Sequence, residues 1–172
     1  MGKALVGFIL GLLVLPAIAL AVVYTGRFPI HATAKPPTWE RRVANTALDA
    51  AVDRAAEGLA DPIPTPSEED LLKGMKIYRD DCAGCHGDKG KPSTWGRNNF
   101  YPPAPQLADR GVHDPVPNIF VIVRDGVRYT GMGGWHGEMP DSDLWRVSSF
   151  LHNLKTLPPA VDSVWKAAPA SQ

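Results

Sequence analysis

Apolar residues run without a break from Ala4 to Tyr24, and no charge interrupts them. At 1.5 Å of rise per residue the run makes a helix roughly 30 Å long, enough to cross the hydrocarbon core of a bilayer. Pro16 lies inside it, and membrane helices tolerate such a proline. Ala17-Ile18-Ala19 and Ala19-Leu20-Ala21 have the small-residue form of a leader cleavage site. The run is long for the apolar core of a leader, so an uncleaved anchor over residues 1–24 is expected.

Beyond the anchor the pattern turns polar and then periodic. Thr25 to Thr38 holds Pro29, Pro36 and Pro37 and no apolar period, which predicts a tether reaching at most roughly 40 Å. From Trp39 to about Leu59 the spacing predicts an alanine-rich helix capped by Thr38, with Val43, Ala47, Ala51 and Ala55 as its apolar stripe. Alanines bury little surface, so this helix needs something to lie on, either the domain that follows or a partner membrane subunit. The alternating prolines of Asp61-Pro62-Ile63-Pro64-Thr65-Pro66 then forbid a helix and mark a boundary.

A second periodic region starts at Ser67, an N-cap followed by Glu68, Glu69 and Asp70. The helix it opens should reach about Asp81 with Leu71, Met75 and Tyr78 on its inner face. Gly74 in that helix implies that another helix backbone crosses closely. Asp141 to about Lys155 offers the partner, with Leu144, Trp145, Val147, Phe150, Leu151 and Leu154 on one broad face and Pro158 and Pro159 as a stop. Ile119 to Val123 is an apolar run that serves helix or strand alike, closed by Asp125-Gly126. Residues 158–172 read as a tail, without organising pattern from Ala167 on.

The chemistry concentrates in Cys82-Ala83-Gly84-Cys85-His86. Two thiols three positions apart reach one edge of a porphyrin and attach haem covalently, while the histidine beside them binds its iron. A redox dithiol or half a zinc site would use the same cysteine spacing. A dithiol of that kind sits in a βαβ surround, absent from the pattern, and a closed zinc site needs further ligands that a chain with two cysteines does not supply. Lysine plus arginine and aspartate plus glutamate balance at 18 each, so no nucleic-acid footprint and no single-sign steering patch is expected. Proline, 17 of 172 residues, is about twice its usual share and clusters between segments, as in a small domain on stiff connectors.

Met75 to Leu157 resembles a monohaem class I cytochrome c domain of the membrane-anchored bacterial kind, a likeness that covers about half the chain. It implies an all-α fold around one covalent haem c, with Gly74 and Tyr78 meeting the Trp145 to Leu151 helix, and it favours helix for Pro117 to Arg124. It assigns Cys82 and Cys85 to the covalent links and His86 to the iron.

For the sixth ligand, Tyr129-Thr130-Gly131-Met132-Gly133-Gly134-Trp135 resembles the family's methionine loop, and its glycines let backbone approach a flat ring. Met132 is the expected ligand, with His136 and Met139 as alternatives. Gly133 stands where that loop has proline, which predicts a looser loop. Tyr101 to Leu107 resembles the proline-rich loop on the proximal side, where the Pro105 carbonyl would accept from His86 and Leu107 would touch the ring. Trp95, Arg97, Tyr101, Arg124 and Arg128 are candidate donors to the haem propionates, and His31, His113 and His152 read as surface residues.

The expected architecture is an anchor (1–24), a connector with the alanine-rich helix (25–66), a haem domain (67–157) and a tail (158–172). The expected function is one-electron transfer in a respiratory or photosynthetic chain by a single-pass protein of the cytoplasmic membrane. The resemblance implies a haem domain in the periplasm, since Lys3 and Arg27 give no charge bias across the anchor. Partners would be redox proteins or a membrane oxidoreductase complex, with neither small-molecule substrate nor enzymatic turnover. One alternative is a haem c subunit built firmly into such a complex. The other is a sensor or peroxidase-like enzyme with an open sixth site.

Overall fold

The unbroken apolar run folds as α1 (Gly2–Tyr24), with Pro16 inside it and apolar side chains exposed all round. A helix apolar on every face has no side to turn towards water, which is the signature of a membrane span. Its last turn is closed locally, as Thr25 Oγ1 donates to Ala21 O at 2.6 Å and Arg27 N–H to Val22 O at 3.0 Å. These observations come from a computed structural model of the chain, which describes residues 2–167. Residues up to His31 form one unit, and those from Ala32 onward form a second.

The second unit is helical, and among the described residues no strand forms. It contains α2 (Thr38–Ala56), α3 (Glu68–Ile77), α4 (Ala83–His86), α5 (Thr94–Asn98), α6 (Leu107–Arg110), α7 (Val116–Asp125), α8 (Asp141–Asn153) and α9 (Pro159–Ala167). The Pro117 to Arg124 run is helical as the family likeness implied. The Gly126 cap at its end (φ +70°) adopts the left-handed backbone that glycine takes without strain.

Ser67 caps α3 through a capping box. The Asp70 N–H donates to Ser67 Oγ at 3.1 Å, and the Ser67 N–H donates to Asp70 Oδ2 at 3.2 Å. Leu71, Met75 and Tyr78 are buried, and α3 crosses α8 at Gly74. A Cβ at Gly74 would overlap the Arg146 carbonyl and stand 2.8 Å from Phe150 Cβ. Asp70 also bridges the crossing, accepting from Arg146 Nε at 3.2 Å. On α8, Trp145 stacks on Phe120 of α7 with centroids 4.0 Å apart, while Phe150 and Tyr78 meet at 5.8 Å.

Four local expectations are corrected. Thr38 is the first residue of α2 rather than its cap, and no side chain caps that end. The stripe of Val43, Ala47, Ala51 and Ala55 is exposed, while Leu48, Val52 and Ala56 turn inward and α2 packs on α7. The larger side chains win that face because leucine and valine bury more apolar area than alanine. The helix from Ser67 does not run evenly to Asp81: it widens into a π-helical turn over Tyr78–Cys82 before α4. Finally, α9 forms where a tail was expected. Pro159 occupies its first position, which tolerates proline, and Val161 and Trp165 are buried in the core. Trp165 meets Phe150 at 5.3 Å and Tyr78 at 6.0 Å, both edge-on. The end of the tail, residues 168–172, lies outside the described residues.

Candidate functional site

Residues 78–107 assemble around the cysteine-histidine motif. The π-helical turn ends at Cys82, and α4 then carries Ala83 to His86 on one turn. Both cysteines are half-buried. Before any bond to haem forms, burial, with the Asp81 charge adding to it, pushes the Cys82 thiol up to about 12, so it is uncharged at neutral pH. The turn is locked from both sides. Beneath it the buried Tyr78 hydroxyl donates to Gly87 O at 2.5 Å. Arg79 Nε lies 3.5 Å from the carboxylate of buried Asp88, two residues past His86. On the outer side Ser93 Oγ donates to Gly84 O at 2.5 Å, and a Cβ at Gly96 would overlap the Cys85 carbonyl. Only glycine admits α5 so close to that turn.

His86 faces the proline-rich loop. Its Nδ1 lies 2.9 Å from Pro105 O. A carbonyl only accepts, so Nδ1 carries the proton and Nε2 is left with a free lone pair. Burial pulls the imidazole below its ordinary range, outweighing the Pro105 bond that raises it, and the ring therefore stays neutral at physiological pH. Gln106 fixes the same loop: its Oε1 accepts from Ser93 N–H at 2.6 Å, and its Nε2 donates to Ala104 O at 3.0 Å and Cys85 O at 3.2 Å. Leu107 opens α6 and packs against the core.

Met132 sits half-buried in the loop between α7 and α8, which backbone hydrogen bonds tie to the end of α7. Val127 N–H donates to Met132 O at 2.9 Å, Trp135 N–H to Val123 O at 3.2 Å and His136 N–H to Arg124 O at 2.9 Å. Gly126 and Gly134 make that approach possible, since a Cβ on Gly126 would stand 2.5 Å from Gly134 N. The loop is thus pinned despite Gly133, because backbone donors do the work that a proline would do by stiffness. His136 is exposed, and Met139 packs against the core just before α8.

Several candidate propionate donors are engaged elsewhere. Tyr101 donates to Glu40 Oε1 at 2.7 Å, Arg124 pairs with Asp125 at 2.9 Å, and Arg128 lies over the Tyr129 ring. Trp95 and Arg97 are exposed, as are His31, His113 and His152. Gln106, Ser93 and Gly96 were not legible as site residues. Ser93 alone left a trace, since a serine three residues before a glycine can cap a short helix, and it does cap α5.

The donor set fits a haem. It offers two thiols on one turn, a neutral imidazole with a free Nε2 and a thioether in a fixed loop. Among the described residues no group of three or more His, Cys, Asp or Glu converges as a cage for a bare ion.

Residues 69–151 match the family model of cytochrome c oxidase, cbb3-type, subunit III. The chain is 30% identical to a cbb3-type cytochrome c oxidase subunit FixPc of Rhizobium leguminosarum bv. viciae, over 80% of this chain and 45% of that protein. It is 25% identical to a thiosulfate dehydrogenase of Stutzerimonas stutzeri (strain A1501), over 74% of this chain and 45% of that one. The chain therefore spans about half the length of the curated relatives it matches. A chain of the Kuenenia stuttgartiensis reducing HAO-like protein complex superposes with a TM-score of 0.44 at 19% identity, covering 56% of this chain and 49% of that one. With its single Cys-X-X-Cys-His motif inside the matched segment, residues 69–151 form a monohaem c-type cytochrome domain that carries one covalently bound haem c.

Proposed function

We propose that this domain is a one-electron carrier in which Cys82 and Cys85 hold the haem, His86 supplies the proximal nitrogen and Met132 the sulfur opposite. The observation that carries the reading is the 2.9 Å contact between His86 Nδ1 and Pro105 O, which sets the tautomer and leaves Nε2 as a ligand. Haem c, when bound, supplies an iron that takes up and releases one electron. The chain's own residues supply the rest. Pro105 raises the basicity of His86, while the neutral Met132 thioether favours the less charged iron state and so raises the potential. Leu107 and Trp135 pack half-buried against the core. Replacing Met132→His is expected to lower the midpoint potential by on the order of 0.1 V or more, within the roughly 0.8 V that axial ligands command. A potentiometric titration that leaves the value unchanged would overturn the assignment of Met132.

We read α1 as a single membrane span, supported by its length and its uniformly apolar surface. The haem domain then lies on the periplasmic face of the cytoplasmic membrane, serving redox proteins of a respiratory or photosynthetic chain. The packing of α2 on its own domain favours a tethered carrier. Likeness to an oxidase subunit and to a dehydrogenase, each about twice as long, favours a second reading: a haem c component of a membrane oxidoreductase. Sizing after mild detergent extraction separates the two, since a lone carrier elutes at its own mass. Carbon monoxide binding to the reduced protein would instead reveal an open sixth site and an enzyme or sensor.

A further inference from the structure

The segment between α5 and α6 touches His86, α2 and the residue before Met132. Between α5 and α6, Pro105 holds His86 and Tyr101 donates to Glu40 of α2. Phe100, adjacent to Tyr101, sets its half-buried ring against Gly131, the residue before Met132. A Cβ on Gly131 would overlap that ring, with Phe100 Cε1 only 2.5 Å away. Trp95 backs the ring edge-on at 5.7 Å and 85°. The backbone on either side of the ring is fixed too, since Ala104 N–H donates to Gly96 O at 2.9 Å.

We infer that Phe100 is a positioning residue for Met132, held against Gly131 by the Tyr101–Glu40 hydrogen bond, and that α2 thereby steadies the sulfur ligand. The inference rests on the reading of Met132 as that ligand. The other ties of the loop run to the last turn of α7, through Trp135 and His136, or stay within the loop, where Val127 N–H donates to Met132 O at 2.9 Å and Met132 N–H donates to Thr130 Oγ1 at 3.0 Å. They fix where the loop leaves that helix. The phenyl ring meets the loop from a separate segment, at the residue before the ligand. A thioether is a weak, uncharged ligand, so the fraction of time it is bound is set by how little freedom its loop has. Where a loop opens more often, an external ligand binds in proportion to the open fraction.

The test uses the full-length holoprotein and reads two quantities: the weak absorption near the red edge that reports sulfur ligation to ferric haem, and the affinity for added imidazole. Phe100→Ala is expected to weaken the band and to tighten imidazole binding about tenfold, the equivalent of about 1.4 kcal/mol. Phe100→Tyr, which keeps the ring, restores both. Tyr101→Phe moves both quantities the same way but less. Gly131→Ala weakens the band beside Phe100 and has no further effect in the Phe100→Ala background, because the clash needs the ring. An unchanged band and imidazole affinity in Phe100→Ala, while Met132→Ala abolishes the band, overturns the inference and spares the ligand assignment. A band that survives Met132→Ala refutes that assignment and the inference with it. Should Phe100→Ala fail to yield holoprotein, Tyr101→Phe and Gly131→Ala decide, and wild-type values in both overturn the proposal.

Discussion

Gly74→Ala has a sign that depends on the fold. In an exposed helix the change stabilises by up to about 1 kcal/mol, because alanine loses less backbone freedom on folding. At the α3–α8 crossing the new methyl group would meet the Arg146 carbonyl and Phe150 Cβ, the latter at 2.8 Å. The obstacle is largely backbone, which cannot turn aside as a side chain can, so the helices must separate. Overpacking of this kind costs about 1–3 kcal/mol, and separation also stretches the 3.2 Å bond between Arg146 and Asp70. The expected net loss is about 2 kcal/mol. For a domain of about 100 residues, with an unfolding entropy near 2.1 cal/mol/K per residue, that lowers Tm by about 10 °C. Thermal unfolding of the holoprotein followed by far-ultraviolet circular dichroism measures it. Gly84→Ala, whose Cβ meets nothing within 4 Å, serves as the control and should lose far less. A Tm for Gly74→Ala equal to or above that of the unaltered protein would show that the helices do not cross at this glycine.

Other outcomes follow from the same packing. Ser67 Oγ, and after it Arg146, hold the Asp70 carboxyl below its ordinary range. Its contribution is therefore full above the usual carboxylate pKa and fades as pH falls through the lowered value. Asp70→Asn should cost about 1 kcal/mol at pH 7 and flatten the acid limb of a stability-versus-pH curve measured by urea unfolding; an unchanged acid limb would count against the capping box. Trp165, only 2% exposed, fills the space against Tyr78 and Phe150, so Trp165→Ala should cost about 3–5 kcal/mol. A chemical-denaturation midpoint that does not move would place α9 outside the core.

The sequence by itself determined the chemistry and the larger helices. Thiol spacing with an adjacent histidine is a local matter, and so are a charge-free run of membrane length, a serine cap and the apolar faces of α3 and α8. Even the crossing was legible, because a helical glycine costs stability that only a close neighbour offsets. Tertiary structure decided what depends on distant partners. The inward face of α2 went to Leu48 and Val52 because a second helix, α7, lay there to receive them. The short helix around Trp165 had too few residues to announce itself and formed because two aromatic rings, supplied from 87 and 15 residues earlier in the chain, offered it a surface. The clasp of Gln106 on Cys85, the seat of Gly96 against Cys85 of α4 and the press of Phe100 on Gly131 link residues 11 to 31 positions apart. Loop closure brings such pairs together only once the core has set the geometry, and no local pattern of residues records that.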